Sequence, residues 1–417
     1  MELLGRKTKR NGEIFQIASN VFRANKKMKI LHCCLAAFYI DDFGYQENIL
    51  PKMHLRQGHD VKIIASTETY VERNKLGYIA PGTYMTREGI PITRIPYQSW
   101  LPHVIMKKLR LYRKLIKGIK DFSPDIIFLH DCQFISIVSV AQYLKANVNT
   151  KLYVDSHTDF INSGRGWVSK NILHRVVYRF CAKLIENRAE KFFGTLPIRS
   201  DFLHEVYGIN PEKIALLPFG ADDSLFNWND RTMIRNRLRT ELKISEDTFV
   251  IITGGKIDNR KNIHYLLEAF KDVCDESNNR HIKLIVFGKP VEDLKETIEK
   301  ASLHRDIIYI EWLPSEEIHK YFFAADLGIF PGTHSVLWEE AVGMGLPCVF
   351  QKWRGITHIS LNGNCQFLDD GRNVNEIINI IKVILDDPES YIKMLEIAQR
   401  EGPKRFSYSQ IAIQAIS

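Results

Sequence analysis

Two lysines lie five residues apart where an apolar strand turns into an amphipathic helix. Lys256 follows Gly254 and Gly255, and Lys261 opens the helical run NIHYLLEAF. The first turn of a helix offers unpaired backbone N–H groups and the positive end of the helix dipole, so two ammonium groups beside it suit a diphosphate. The spacing differs from that of the P-loop, and two solvated lysines on a surface turn would give the same pattern.

A loop and a helix in the second half carry the next candidates. The apolar run LGIF ends at Pro331, the small residues GTHS follow, and a helix beginning near Val336 carries Glu339 and Glu340. Successive helix residues diverge by about 100°, so only one of the two glutamates can easily face a cleft. A carboxylate there can accept two hydrogen bonds from sugar hydroxyls, although acids in a first helical turn also complement the helix dipole.

Polar residues also follow strands in the first half. Gly44 lies in the loop DDFGYQEN, where glycine lets the backbone approach a phosphate or a sugar, although a plain turn glycine has the same signature. Most lone histidines are bystanders, but His157 follows a strand and is crowded by acids and hydroxyls, which favours it over the other histidines. His130 is the next candidate, and the acids Asp131 and Asp155 lie close to these histidines in the sequence.

Strands alternating with helices must position these residues. This alternation is typical of parallel sheets covered by helices, and ligands of such sheets bind outside the carboxyl ends of the strands. We therefore predict an α/β fold with two similar domains that create a cleft. The predicted strands are KILHCCL, DVKIIAS, ITRIPY, DIIFLH, KLYVDSH and KFFGTL, followed by TFVIITGG, IKLIVFG, IIYIEWL, LGIFPG and PCVFQ.

A stretch rich in Pro, Gly and Asp, ALLPFGADDSLFNWND, interrupts the alternation and is predicted to be a hinge. It divides a first domain at 28–220 from a second at 221–395. Residues 1–27 are polar and basic, and we expect a disordered extension there that need not belong to the native protein. Residues 396–417 are predicted to form a helix that crosses back to the first domain.

Composition excludes several classes of protein. The 417 residues are 45% hydrophobic and 25% charged, which is ordinary for a soluble chain of two domains. The seven cysteines are scattered, which predicts reduced thiols and no structural zinc. No apolar run suits a membrane span or a signal peptide, so we expect a cytoplasmic protein. The net charge of +8 fits an anionic partner. The sequence shows no platform of aromatic and basic residues, so nucleic-acid binding is not predicted.

These motifs resemble the retaining nucleotide-sugar glycosyltransferases of the GT-B fold, in the large group called family 4. That family ends a strand with G-R-L-x-x-x-K-G, and Gly255 to Asn262 reads GKIDNRKN. The family's later motif, P-S-x-x-E-G-F-G-x-x-x-L-E-A-M-x-x-G-x-P-V, is similar to a shortened stretch from Pro331 to Val349. The stretch GYQENILPKMHLRQGHDVKIIAS is similar to the family's glycine loop, helix and G-H-x-V strand. The resemblance covers most of Met28 to Phe406 and implies two Rossmann-like domains facing across a cleft.

The resemblance implies a role for each candidate. It implies that Lys256 and Lys261 hold the donor's diphosphate and neutralise its charge as the glycosidic bond breaks, which is where catalysis is needed. It places His157 beside the donor sugar, so the predicted catalytic residues are these three. Glu340 matches the glutamate that binds the ribose, and Asp131 and Asp155 are predicted to orient the acceptor. The predicted donor-binding residues are Gly44, Tyr45, Gly255, His334, Ser335, Val336, Leu337 and Glu340.

Two departures from the family pattern affect the donor site. The position eight residues before Glu340 is Gly332, so the family's first glutamate, which touches the donor sugar, is missing from a shortened loop. His334 or Ser335, together with nearby backbone N–H groups, is predicted to replace it. The family's arginine is replaced by Lys256, which keeps the charge but loses bidentate phosphate geometry.

The resemblance therefore implies a retaining, metal-independent glycosyltransferase of the hexosyltransferase class. It would move a sugar from a nucleotide-sugar to a glycan or lipid-linked acceptor in surface polysaccharide or glycoconjugate synthesis. No cofactor is expected, and the acid pairs Asp41–Asp42 and Asp222–Asp223 are interpreted as turn residues rather than metal ligands. The missing glutamate leaves an alternative, a catalytically weak GT-B-like protein that binds a sugar nucleotide or a partner. A sugar-nucleotide epimerase is a more distant alternative.

Residues 103–120, HVIMKKLRLYRKLIKGIK, are a candidate for membrane contact. The pattern predicts an amphipathic helix whose basic face suits anionic lipid, which would bring the protein to the inner face of the membrane. Because strands flank the segment on both sides, a core-packed helix with a solvated basic face explains the pattern equally well.

Overall fold

The computed structural model describes residues 26–72, 75–160, 163, 166–276 and 281–417. The predicted extension at 1–27 lies outside the described residues except for its last two positions. Within the described part, the chain forms an eight-stranded sheet, a six-stranded sheet and a two-stranded hairpin. No described helix has both the length and the apolar character needed to cross a bilayer.

The first sheet has the strand order β10-β9-β8-β7-β1-β2-β6-β5. Its neighbours are parallel except for β5, which pairs antiparallel with β6. The separate hairpin consists of β3 and β4. The strands are β1 Lys29–Cys34, β2 Asp60–Ser66, β3 Glu68–Glu72, β4 Lys75–Tyr78, β5 Gly82–Met85, β6 Pro91–Ile95, β7 Ile126–His130, β8 Lys151–Ser156, β9 Ala189–Gly194 and β10 Ile214–Leu216.

The second sheet has the order β13-β12-β11-β14-β15-β16 and is parallel throughout. Parallel neighbours need crossover connections, and helices supply most of them. The strands are β11 Phe249–Gly254, β12 Ile282–Phe287, β13 Ile307–Ile310, β14 Leu327–Phe330, β15 Cys348–Gln351 and β16 Cys365–Leu368.

Helices cover both faces of each large sheet, and a π-helical segment, Ser169–Tyr178, runs directly into one of them. The α-helices are α1 Gln46–Arg56, α2 His103–Leu109, α3 Leu115–Phe122, α4 Ile137–Ala146, α5 Arg179–Glu186, α6 Pro197–Glu205, α7 Arg231–Glu241, α8 Ile263–Glu276, α9 Glu292–Ser302, α10 Ile318–Ala324, α11 Leu337–Gly343, α12 Val374–Asp386, α13 Pro388–Phe406 and α14 Tyr408–Gln414.

Apolar strands buried on both faces form the cores of the two sheets. In β11, for example, Ile251 packs with Leu266 and Phe270 of α8 on one face, whereas Val250 and Ile252 belong to the cluster on the other face. Such strands read as continuous apolar runs because neither face meets water. This is why the main strands are visible in the sequence.

The last helix returns to the first sheet. Ile411 and Ala412 of α14 share an apolar cluster with Ile49 and Met53 of α1. Just before α14, the backbone of Ser407 pairs with that of Ala221. These contacts hold the C-terminal segment against the helix that follows the Gly44 loop.

The α/β fold class is confirmed, and each predicted strand is present. The hairpin β3–β4 and the strands β5, β10 and β16 were not predicted. These strands are three to five residues long, and β4 and β5 are largely exposed. A short exposed strand has no apolar period to mark it, so the pattern gave no signal.

The single helix predicted over 103–120 is wrong. The segment forms α2 and α3, separated by left-handed backbone at Arg110, with a φ of 50°, and at Lys114, with a φ of 60°. Tyr112 lies between them with its ring in the core, where its hydroxyl donates to the carbonyl of Leu35 at 2.6 Å. Burial of this ring takes the chain out of the helical path.

Candidate active site in the cleft between the sheets

A cleft of about 990 Å³ opens between the loops that follow the strands of the two large sheets. The first half contributes the loop after β1, the start of α1 and the residue after β8. The second half contributes the loop after β14 and the start of α11. The predicted site residues that line the cleft are Gly44, Tyr45, His157, His334, Ser335, Val336 and Glu340.

The two predicted phosphate-binding lysines have different environments. The Nζ of Lys261 donates to the carbonyl oxygens of Thr333 at 2.6 Å and His334 at 3.0 Å, directly behind the loop that lines the cleft. Burial lowers the pKa of Lys261 to about 8, although the charge of Asp258 partly opposes this. Lys256 is exposed and does not line the cleft. The structure therefore brings Lys261, but not Lys256, up to the cleft loop.

Gly255 has a positive φ of 110°, and a Cβ built on it would lie 3.1 Å from Cδ1 of Leu337. The turn after β11 thus packs against the first residue of α11. Neither Gly255 nor Leu337 lines the cleft. These two predicted donor-binding residues therefore pack against each other outside the cleft and support its wall.

The structure explains the glycine at position 332. A Cβ on Gly332 would overlap the carbonyl oxygen of Arg260 and the backbone of Lys261. The next residue, Thr333, donates its backbone N–H to the same Arg260 carbonyl at 2.8 Å. The loop after β14 therefore lies backbone to backbone on the turn after β11, and no glutamate fits at position 332 in this arrangement.

Glu339 and Glu340 point in different directions, as the divergence of about 100° between successive helix residues predicts, and only Glu340 lines the cleft. Burial opposes ionisation of Glu339, but the charges and hydrogen bonds of His334 and His358 outweigh it and lower its pKa to about 2. Glu340 lines the cleft, and burial, reinforced by the charge of Asp222, raises its pKa to about 8. Glu340 therefore carries a proton at neutral pH and can donate a hydrogen bond.

His157 occupies the opposite wall. Its Nε2 lies 3.3 Å from Oδ1 of Asp155 and 3.8 Å from Oε1 of Glu47, and its ring lies 5.7 Å from that of Phe219. Burial disfavours the charged ring, but Asp155 and Glu47 outweigh burial and raise the pKa of His157 to about 9. The ring is therefore an imidazolium at neutral pH, which suits it to stabilise negative charge in the cleft.

Asp131 and Asp155, predicted to orient an acceptor, do not line the cleft. Asp155 is completely buried and accepts from Nδ1 of His130 at 2.9 Å and from the backbone N–H of Asp131 at 3.1 Å. Asp131 is also buried and accepts from Thr158 at 2.9 Å. Both carboxylates are committed to hydrogen bonds behind the wall, so the structure gives them a supporting position.

Sequence reasoning missed several charged residues of the cleft. Glu47 and Lys52 project from α1, and Arg199 from α6. Asp222, interpreted as a turn acid, does accept from the backbone N–H of Ser224, but it also pairs with Lys52 at 2.6 Å and lines the cleft. The one available signal was that α1 follows the Gly44 loop directly, so its first turns must face the ligand side of the sheet.

Two described groups of side chains bring potential metal-ligating atoms within 4.8 Å of one another. In the first group, Glu47, His130 and His157, both ring nitrogens of His130 already make hydrogen bonds. The second group, Cys274, His304 and Asp306, lies outside the cleft, and its aspartate pairs with Lys283 at 3.5 Å and with Arg305. Binding a cation would therefore cost existing contacts in each group.

Comparison with known proteins identifies the family. Two family models match: Glycosyltransferase Family 4 over residues 52–225 and Glycosyl transferases group 1 over residues 234–401. The chain is 26% identical over 250 residues to D-inositol 3-phosphate glycosyltransferase of Corynebacterium glutamicum, covering 57% of this chain and 59% of that protein. It is 26% identical over 254 residues to lipopolysaccharide 1,2-N-acetylglucosaminetransferase of Salmonella typhimurium, covering 55% and 65%.

The matched region spans about three fifths of the length of these curated relatives. In its fold, the chain is similar to Anabaena HepE in complex with UDP, with a TM-score of 0.62 at 16% identity over 93% of this chain and 98% of that one. The two family models together span both halves of the cleft, and the fold agrees with them. The chain belongs to the group 1 glycosyltransferases of the GT-B fold.

Proposed function

We propose that the protein is a retaining, metal-independent glycosyltransferase that moves a sugar from a nucleotide-sugar donor to a glycan or lipid-linked acceptor. The observation that carries this proposal is that His157 on one wall and Glu340 on the other line a single cleft of about 990 Å³ between the two sheets. The first half, 28–220, binds the acceptor, and the second half, 221–395, binds the nucleotide.

The donor's diphosphate binds beside the loop after β14. The ammonium of Lys261 already lies against the carbonyls of Thr333 and His334, so a small movement of this loop brings it to a phosphate oxygen. Because burial keeps the pKa of Lys261 near 8, an added negative charge raises that pKa and favours the ammonium form. Glu340 donates a hydrogen bond to one ribose hydroxyl and accepts a hydrogen bond from the other.

Catalysis depends on stabilising the negative charge of the departing diphosphate. Donors and cations fixed in advance around developing charge commonly supply the largest catalytic contribution. Lys261 holds the diphosphate, and the imidazolium of His157 on the opposite wall stabilises the negative charge that develops on it as the glycosidic bond breaks. The departing phosphate assists removal of the acceptor proton on the same face, so the configuration is retained.

A donor panel tests the function. The wild type is incubated with UDP-, GDP- and ADP-sugars, and nucleotide release is measured together with mass spectrometry of any nucleotide that co-purifies. The complex of HepE with UDP favours UDP-sugars for the first trial. We expect release with one donor class and its loss in His157→Asn. Absence of nucleotide binding across the panel would contradict the proposal.

Gly332 favours a second candidate, a binding protein without turnover, because no glutamate fits where the family places its sugar-binding carboxylate. Under this alternative, a sugar nucleotide binds but is neither hydrolysed nor transferred. A measurable transfer that His157→Asn abolishes would exclude it.

An exposed stripe beside the first sheet favours a lipid-linked acceptor. Val168, Ile172, Val176 and Phe180 recur every four residues, and Trp167 precedes the first of them. All five are exposed, with Trp167 at 72% and Val176 at 61%. Exposed basic residues flank them, namely Lys170, Arg175, Arg179 and Lys183. An apolar stripe with basic flanks suits an anionic membrane surface. We propose that this stripe, rather than a helix at 103–120, holds the protein on the inner face of the membrane.

Sedimentation with vesicles tests the stripe. Wild type is expected to bind vesicles that contain anionic lipid and to bind zwitterionic vesicles weakly. The combined change Trp167→Ser, Val176→Ser and Phe180→Ser should reduce binding to anionic vesicles at least about tenfold, because each substitution removes roughly 1–3 kcal/mol of apolar burial. The control Leu303→Ser changes a residue that is 86% exposed elsewhere. Equal binding by all three proteins would refute membrane docking through this face.

A further inference from the structure

Three buried histidines form a continuous chain between α14 and the wall of the cleft. His54 on α1, His32 on β1 and His130 at the end of β7 are completely buried. Nε2 of His54 lies 2.9 Å from the carbonyl oxygen of Ala412, and Nδ1 of His54 lies 3.0 Å from Nε2 of His32. Nδ1 of His32 lies 3.1 Å from Nε2 of His130, whose Nδ1 lies 2.9 Å from Oδ2 of Asp155.

The number of protons in this chain follows from its two ends. The carbonyl of Ala412 only accepts hydrogen bonds, and so does an ionised Asp155. The four contacts need four hydrogens, but three neutral imidazoles carry only one N–H each. The chain therefore holds one proton more than three neutral rings supply. A missing hydrogen would leave two buried acceptors facing each other, which is costly.

The environments of the three rings place the extra proton next to Asp155. Burial lowers the pKa of His54 to about 3 and holds that of His32 well below its ordinary value, so both rings are neutral. Since Nε2 of His54 must donate to Ala412, Nδ1 of His54 accepts from His32, and Nδ1 of His32 accepts from His130. His130 then needs a second N–H to reach Asp155. The other oxygen of Asp155 accepts the backbone N–H of Asp131 and faces His157, so the carboxylate is the favoured ionised partner.

We propose that His54, His32 and His130 store one proton beside Asp155 and thereby position His157 in the cleft. The catalytic importance of this positioning rests on the proposed function, whereas the stored proton does not. The proton on His130 neutralises part of the negative charge of Asp155. The carboxylate that holds His157 therefore interacts with two cationic rings, His130 and His157. Because the chain of histidines ends at the carbonyl of Ala412, this arrangement requires α14 to be docked on α1.

Among the described residues, charged and titratable groups act on the chain of histidines at its two ends. His59 lies beside His54, with ring centroids 6.2 Å apart. At the cleft end, His157 faces Glu47 and Asp155, and the positive charge of Arg199 and the negative charge of Asp131 also act there. Burial and the neighbouring histidines keep the pKa of His32 well below its ordinary value, which is consistent with a neutral ring in the middle of the chain.

Nitrogen NMR of the full-length protein labelled with ¹⁵N-histidine tests the proton count without substrate. At pH 7.5, well above the ordinary histidine pKa of about 6.5, we expect His130 to show two protonated nitrogens and His32 and His54 to show one each. His32→Phe removes an acceptor and a donor, so two contacts remain and two neutral rings satisfy them. In this variant, His130 should lose its second proton, and the titration midpoint of His157 should rise by about one pH unit because Asp155 is less compensated.

Two matched variants separate positioning from a packing defect. His32→Gln can accept with Oε1 and donate with Nε2, so it should restore the second proton on His130. His59→Gln changes a neighbour outside the chain and should leave both readouts as in the wild type. If His32→Phe does not fold, the wild-type spectrum and His32→Gln still decide the matter. Three singly protonated rings in the wild type at pH 7.5 would overturn the proposal, as would a His157 midpoint that does not rise in folded His32→Phe.

The spectra and the donor panel fail independently. If His130 is doubly protonated but no sugar nucleotide is turned over, the stored proton is supported and the proposed function is refuted. If transfer activity is found but all three rings are singly protonated, the proposed function is supported and the stored proton is refuted.

Discussion

The two walls of the cleft are built in different ways. On the first wall, charged side chains fix His157, with Asp155 at 3.3 Å and Glu47 at 3.8 Å. On the second wall, the loop after β14 is held by backbone groups, since the carbonyls of Thr333 and His334 accept from Lys261. The first wall therefore fixes a charged side chain in the cleft, whereas the second fixes the backbone path of a loop. Substitutions in the first wall should mainly lower activity, and substitutions in the second should mainly lower stability.

Removal of the charge on the first wall should have the largest effect. We expect His157→Asn to lower kcat by about 10²–10³, the usual loss when one preorganised donor to a transition state is removed. KM for the donor should change little, because the diphosphate is held by the other wall. Steady-state kinetics with the donor identified by the panel measures both constants.

Two observations control this prediction. His281→Asn changes a histidine that is 67% exposed and lies outside the cleft, so it should behave as wild type. An unchanged kcat in His157→Asn, with an unchanged melting temperature, would remove His157 from the mechanism.

Changing the shape of the second wall should lower stability. In Gly332→Ala, the new Cβ overlaps the backbone of Arg260 and Lys261, so we expect a loss of about 1–3 kcal/mol in the free energy of unfolding. The control Gly82→Ala adds a Cβ with no atom within 4 Å. Urea unfolding of both variants measures the difference. Equal stabilities would show that the loop does not pack as closely as the structure has it.

The carboxyl group of the second wall gives a smaller effect that depends on pH. The pKa of Glu340 is raised from 4.5 to about 8, so its stabilising contribution is complete below the lower value and is lost as pH rises through the upper one. Glu340→Gln cannot ionise. Its melting temperature relative to the wild type should therefore rise between pH 6 and pH 9. A constant difference across this range would mean that Glu340 is ionised throughout.

The first wall was partly predictable from residue types. A histidine after a strand, beside acids, is visible in LYVDSH, and the strand end places it in the cleft. Glu47 was missed because nothing in the sequence of α1 says which of its polar residues turns inward. The chain of His54, His32 and His130 was also invisible, since these residues are far apart in sequence and meet only through the register of β1 with β7 and the packing of α1.

The second wall was predictable only where a periodicity existed. The rule that neighbouring helix residues diverge predicted that only one of Glu339 and Glu340 faces the cleft, and the resemblance to the family selected Glu340, as the structure has it. No sequence pattern predicted that Lys261 would contact the cleft loop while Lys256 is exposed. It arises because the loop after β14 covers one lysine and not the other, which is a long-range contact. The same contact explains Gly332, which the sequence presents only as a missing glutamate.

The account depends most on Lys261 binding the donor's diphosphate, and calorimetric titration with UDP and UMP tests this directly. The wild type should prefer UDP, and Lys261→Met should reduce that preference about tenfold or more, since a hydrogen bond to a charged group contributes roughly 1.5–3 kcal/mol. Lys256→Met, which removes an exposed charge, should reduce it by less than about threefold in 0.15 M salt. A preference that Lys261→Met leaves unchanged would contradict the account.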